Sequence, residues 1–129
     1  MKRLYALRGA TQCLNTQNDI QKQVTLLYDE LLCANSLAEE DVVSLIFSVT
    51  GDLTALNPAT ALRKNNRAAN LALFVVKEAE FDAGSGTPLP RVVRTLVHCY
   101  LEEGTHVKHI YRNGAEGLRQ LPKTAIKAD

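Results

Sequence analysis

The chain has 129 residues, 46% of them hydrophobic and none of them Trp, a length and composition that suit one domain with a real core. Fifteen Lys and Arg against fourteen Asp and Glu leave a net charge of +1, which excludes a field able to track nucleic acid or an anionic membrane, so any anion must be met by a local cluster of cations. No apolar run nears the roughly 18–20 residues of a membrane span, and Arg8 cuts short the apolar N-terminus "MKRLYALRGATQ", so no membrane anchor or signal peptide is expected and the protein reads as cytoplasmic.

Residues 3–8 alternate, with Leu4 and Ala6 on one side and Arg3, Tyr5 and Leu7 on the other. This predicts a strand that ends at Arg8, with Gly9 allowing a turn. From Asn18 to Ala34, Ile20, Val24, Leu27, Leu31 and Cys33 recur near the helical period, and Thr16 stands three residues before Asp19 as a cap. One long helix is expected there. "NSLAEED" at 35–41 pairs Ser36 with Glu39 in a second, short capping signal. "VVSLIFSVT" at 42–50 is β-branched and almost wholly apolar, which predicts a strand buried on both faces.

Asn57 before Pro58 predicts the cap and first position of a short helix running to about Lys64. "LALFVVKEAE" at 71–80 begins as a strand and ends in charge, and "FDAGSGTPLP" follows as a Gly/Pro loop. "RVVRTLVHCYLEE" at 91–103 carries the Val, Thr and Tyr of a strand, with Val92, Arg94, Leu96, His98 and Tyr100 on one face. "VKHIY" at 107–111 reads as a fifth, shorter strand. Residues 1–121 form a single domain in this reading and 122–129 a flexible C-terminal tail.

The expected fold class is α+β: a mixed five-stranded sheet with one long and one short helix on one face. Two helices cannot cover both faces of such a sheet. A symmetric oligomer packing sheet against sheet would cover the other.

Cys13, Cys33 and Cys99 are odd in number and widely spaced, so they read as buried or semi-buried thiols and not as a disulfide framework or a zinc site. His98, His106 and His109 have no ligand-like spacing with them, and in a strand His98 and Cys99 point to opposite faces. Neither a metal nor a Cys/His nucleophile is supported.

The arginines carry more information, because Arg8, Arg63, Arg94 and Arg119 each fall at or near the end of an expected element. Their fixed fork of donors suits carboxylates and phosphates. Arg94 lies between Val93 and Thr95 inside an apolar run, where a buried charge is costly unless paired.

Four stretches in order, "LRGAT" in the first strand, "DLTALNPATALR" at Asp52 to Arg63, "LPRVVR" at Leu89 to Arg94, and "HIY" with Leu118-Arg119, resemble the monofunctional AroH-type chorismate mutases over residues 4–120. The resemblance implies a homotrimer built around a pseudo-α/β barrel, with active sites in clefts between subunits. It implies the cofactor-free and metal-free Claisen rearrangement of chorismate to prephenate, a step toward Phe and Tyr. A catalyst for that reaction must hold a flexible dianion compactly and stabilise negative charge on the breaking ether oxygen. By the same resemblance Arg94 reaches the ether oxygen and Glu78 accepts a hydrogen bond from the ring hydroxyl, a role for which Glu80 competes. Arg8 and Tyr111 hold the side-chain carboxylate, and Arg63 and Arg119 guide or cover the ring carboxylate.

The chain departs from the family pattern at Asn57, where an aromatic wall is usual, at Thr60, where Lys is common, and at Val75, where Cys often helps hold the ring hydroxyl. The loop from Ala79 to Pro90 is also longer than usual. A relative acting on another chorismate-like dicarboxylate, or a non-catalytic trimeric anion-binding protein of the same fold, is the alternative these departures leave open.

Overall fold

The computed structural model of the chain describes residues 1–81 and 88–119. Its elements are β1 (Lys2–Gln12), α1 (Gln17–Ala34), β2 (Val42–Val49), α2 (Pro58–Lys64), β3 (Ala72–Lys77), β4 (Val92–Glu102) and β5 (Ile110–Arg112), with 3-10 turns at Glu39–Asp41 and Glu116–Arg119. The sheet order is β3-β2-β4-β1-β5. β4 is antiparallel to both β1 and β2, while β2 with β3 and β1 with β5 run parallel. The chain is thus α+β with a mixed five-stranded sheet.

Local signals account for both helices. Thr16 accepts the Asp19 N–H at 3.1 Å while the Asp19 carboxylate accepts the Leu14 N–H at 2.6 Å, so the start of α1 is closed from both directions. Asn57 accepts the Ala59 N–H at 2.8 Å, Pro58 takes the first helical position, and Arg63 and Lys64 sit in the last turn where cations suit the helix dipole. One side of the sheet meets these helices: Leu7, Leu45, Phe47, Val93 and Val97 pack against Ile20, Val24, Leu27 and Leu31 of α1 and Ala61 and Leu62 of α2.

Several expectations need correcting. Gly9 makes no turn, since β1 runs unbroken to Gln12. A Cβ there would sit 3.0 Å from both Leu27 and Leu31 and 3.2 Å from the Ile110 carbonyl, so the glycine is the place where α1 comes down onto the β1 and β5 backbones. Ser36 caps nothing. The turn begins at Glu39, after Ala38, with no side-chain cap, because the Glu39 carboxylate is used elsewhere, accepting from the Tyr28 hydroxyl at 2.6 Å and the Ala68 N–H at 3.1 Å.

β2 is not buried on both faces within one chain: Leu45 and Phe47 are buried, whereas Val43 and Ile46 are 46% and 36% exposed. Leu4, Phe74, Val76 and Tyr100 are exposed as well, so the face away from the helices remains largely apolar and open. Of the thiols, Cys13 and Cys99 are buried but Cys33 is exposed, and burial pushes the Cys13 thiol up to about 12. Among the described residues no helix is long and apolar enough to cross a membrane.

The fifth strand is shorter than "VKHIY" suggests, because only Ile110, Tyr111 and Arg112 pair with β1. The preceding stretch is held by a side chain instead. Asn35, buried at the end of α1, accepts the Lys108 N–H at 2.8 Å and donates to the Lys108 carbonyl at 2.9 Å and the Leu31 carbonyl at 2.8 Å. Truncation takes a partner from the buried Leu31 carbonyl and from the part-buried N–H and carbonyl of Lys108, so Asn35→Ala is expected to cost about 1–3 kcal/mol in a denaturant melt.

Candidate active site

The open face of the sheet concentrates the expected site residues through strand register. Arg8 pairs with Leu96 and Ala10 with Arg94 across β1 and β4, Ala10 pairs with Tyr111 across β1 and β5, and Ser48 pairs with Arg94 across β2 and β4. Side chains alternate along each strand. Arg8, Arg94 and Tyr111 therefore share the face opposite the helices, where they line one open cleft of about 260 Å³ together with Gly9, Ile46, Ser48, Thr95 and Leu96.

Arg94 is half-buried and donates from Nε to Glu78 Oε1 at 2.7 Å, which satisfies the pairing that its apolar setting in the sequence demanded. Glu78 reaches it because the residue directly follows β3 and its N–H is tied to the Val49 carbonyl at 2.8 Å. Glu80 lies two residues farther out, exposed, with its carboxylate near Gly51. The edge bond leaves the two terminal nitrogens of Arg94 with no hydrogen-bond partner among the described residues, and no described carboxylate pairs with the Arg8 guanidinium. Two forks of donors and one phenol thus meet in a single cleft, with the Glu78 carboxylate bonded to the Arg94 fork.

The start of β4 is anchored by Asp52. Its carboxylate accepts from the Thr50 hydroxyl at 2.6 Å and from the Arg91 N–H at 3.1 and 3.0 Å, and Arg91 holds a left-handed conformation with φ 51°. These bonds, the Thr50 hydroxyl first, keep the Asp52 carboxyl below the ordinary carboxylate value. Because the folded value lies below the unfolded one, this stabilisation is complete above the ordinary carboxylate range and is lost as pH falls through the folded value. Asp52→Asn is expected to flatten the fall in Tm below about pH 4, as read by thermal melts across pH.

The remaining expected residues do not enter this cleft within one chain. Asn57 is occupied as the α2 cap, and Thr60 and Arg63 lie exposed on α2, on the helix side of the sheet. Val75 pairs with Phe47 and packs against the core beneath the helices, so it cannot stand in for a cleft-lining cysteine of the same chain; Val76 is its neighbour on the open face. Arg119 ends the turn Glu116–Arg119, and its side chain lies outside the described residues, as do residues 82–87 of the 79–90 loop and the 122–129 tail.

Ser48 is a cleft residue that sequence reading missed; its signal was a polar residue, with Ser44 the other, in a largely apolar strand, and register then sets it opposite Arg94. The Thr95 hydroxyl donates to the Ile46 carbonyl at 3.2 Å, and no described His or Cys lines the cleft. No described hydroxyl of the cleft is therefore paired with a base that would make it a nucleophile; the Ser44 hydroxyl meets His98 Nδ1 at 3.2 Å, but neither residue lines the cleft. The donor set is suited to holding an anion and stabilising charge. Among the described residues no three His, Cys, Asp or Glu side chains converge as metal ligands.

Comparison with known proteins matches residues 4–121 to the family described as chorismate mutase type I. The chain is 25% identical over 115 residues to the chorismate mutase AroH of Bacillus subtilis (strain 168), a match covering 88% of this chain and 87% of that one. It is similar in structure to a chorismate mutase from Clostridium thermocellum, with a TM-score of 0.77 and 33% identity, over 87% of this chain and 97% of that one.

Proposed function

The chain belongs to the chorismate mutase type I family and is an isomerase of that kind, and from that premise we propose how its cleft acts. The carrying observation is that Arg94, bonded to Glu78 at 2.7 Å, lines one cleft with Arg8 and Tyr111. In the rearrangement of chorismate to prephenate one carbon-oxygen bond breaks while one carbon-carbon bond forms within a single molecule, and the ether oxygen gains negative charge on the way. Arg94 directs its terminal nitrogens at that oxygen. Glu78 fixes the guanidinium from the Nε edge and its second carboxylate oxygen accepts the ring hydroxyl.

Arg8 and Tyr111 hold the side-chain carboxylate, which keeps the enolpyruvyl arm folded over the ring. Holding two reacting ends together removes the entropy the free molecule must lose. Charge stabilisation supplies the rest, because the donors are already aimed before the bond breaks. No cofactor takes part in this scheme.

Arg63 and Thr60 lie on the helix side of their own sheet, so they serve the ring carboxylate from a neighbouring copy, with Arg119 covering it. Three copies packed through the open apolar faces, where Leu4, Ile46, Phe74, Val76 and Tyr100 are exposed, make each cleft a joint between subunits. The protein works in the cytoplasm in this reading. Purified protein incubated with chorismate is expected to consume its absorbance and form prephenate; formation no faster than the uncatalysed rate overturns the reading. Sedimentation is expected to give the mass of three chains.

A further inference from the structure

We propose that His109 is a positioning residue that fixes the Arg8 backbone and so aims Arg8 at the substrate carboxylate, an inference that rests on the role given to Arg8 above. The parallel ladder between β1 and β5 has only three rungs, Gly9 with Ile110, Ala10 with Tyr111 and Thr11 with Arg112. One step beyond its end, the Arg8 N–H donates to His109 Nδ1 at 2.9 Å. The imidazole therefore extends the sheet by one bond where the strand itself stops. A backbone N–H can only donate, so Nδ1 carries the lone pair and the ring proton is on Nε2.

His109 can hold Arg8 because it is itself held. The residue before it, Lys108, is clasped through both its N–H and its carbonyl by the buried Asn35 amide, which also closes the end of α1 at the Leu31 carbonyl. A continuous line of bonds therefore runs from the helix end through Lys108 and His109 to the backbone of Arg8. Arg8 needs such support, since no described carboxylate pairs with its guanidinium and its side chain is exposed over the cleft. Arg8 stands opposite Leu96 in the register of β1 with β4, and on the edge toward β5 its N–H is held by His109.

The effect falls on binding and not on bond breaking, because Arg94 stands on β4 with its own partner Glu78. His109→Leu is expected to raise KM for chorismate about tenfold, the worth of one hydrogen bond, with kcat changed less than twofold. His109→Asn, whose side-chain oxygen can take the place of Nδ1 as acceptor, is expected to restore most of the loss. In an Arg8→Ala background His109→Leu is expected to add less than twofold, since residues that act through one another are not additive.

An unchanged KM in His109→Leu, no rescue by Asn, or factors that multiply in the Arg8→Ala background overturns the proposal. Calorimetric Kd values for a bicyclic dicarboxylate mimic of the folded substrate give the same comparison without turnover. If the unsubstituted chain binds the mimic but leaves chorismate untouched, the catalytic reading fails while His109 is still judged by the Kd ratio. Should His109→Leu melt early, the His109→Gln and His109→Asn pair decides, because the Gln acceptor lies one bond too far out and only Asn is expected to bind as the unsubstituted chain does.

Discussion

Arg94→Ala is expected to lower kcat for chorismate by about 10²–10³, the loss that follows removal of one preorganised donor from the place where negative charge develops. KM should move far less, since the ether oxygen carries little charge in the ground state and the carboxylates are held elsewhere. Arg94→Lys should be nearly as damaging. The ammonium keeps the charge but lacks the planar fork that lets Nε bond Glu78 at 2.7 Å while the terminal nitrogens face the cleft. Steady-state kinetics separate these effects, and a thermal melt guards against a folding artefact: the pair is partly exposed, so its loss should cost no more than about 1 kcal/mol. A variant that retains kcat within a fewfold removes Arg94 from the centre of the reaction.

Phe47→Ala has the largest expected effect on stability. Phe47 is 1% exposed on β2, flanked in the sheet by Val75 of β3 and Thr95 of β4, and belongs to the main core cluster under the helices. Deleting a buried phenyl ring loses its transfer free energy and leaves a cavity that a sheet held by partners on both sides cannot close, a loss of about 3–5 kcal/mol. For a chain of 129 residues that lowers Tm by roughly 10–20 °C. The melts must be compared at one protein concentration, because association of copies raises apparent stability by mass action. Ile46→Ala, the next residue along on the open face, should cost the isolated chain far less.

Much of the local structure was legible in the residues. Thr16 with Asp19 and Asn57 with Pro58 mark helix starts that depend only on neighbours a few positions away, and both caps form as the spacing predicts. Arg94 stood out because a charge inside an apolar run needs a partner. Glu78 was harder to separate from Glu80: counting forward from Arg63 selects Glu78, but a loop of unusual length leaves the count back from Arg94 selecting neither cleanly. Across the sheet it is Glu78, tied to Val49 as β3 ends, that bonds Arg94.

Gly9 shows why a local reading can mislead. A glycine after a strand-like run looks like a turn, yet its role is set by Leu27 and Leu31 descending onto it from α1. Ser36 misleads in the same way, because the capping pattern it forms with Glu39 is outbid by the Tyr28 hydroxyl and the Ala68 N–H. Val75 was placed by likeness, and only strand register turns it toward the core.

What the sequence determined by itself is therefore the set of elements and the chemical types: two capped helices, strands of the right period, and arginines fit for a dicarboxylate. The tertiary structure alone decided which arginines meet. Arg8 and Arg94 share a cleft because β1 lies against β4 with Ala10 opposite Arg94, and His109 reaches Arg8 because Asn35 pins the approach to β5. Periodicity reports which face a side chain takes on its own strand. It carries no record of which strand lies beside it or in what register, because those are set by packing among residues far apart in the chain.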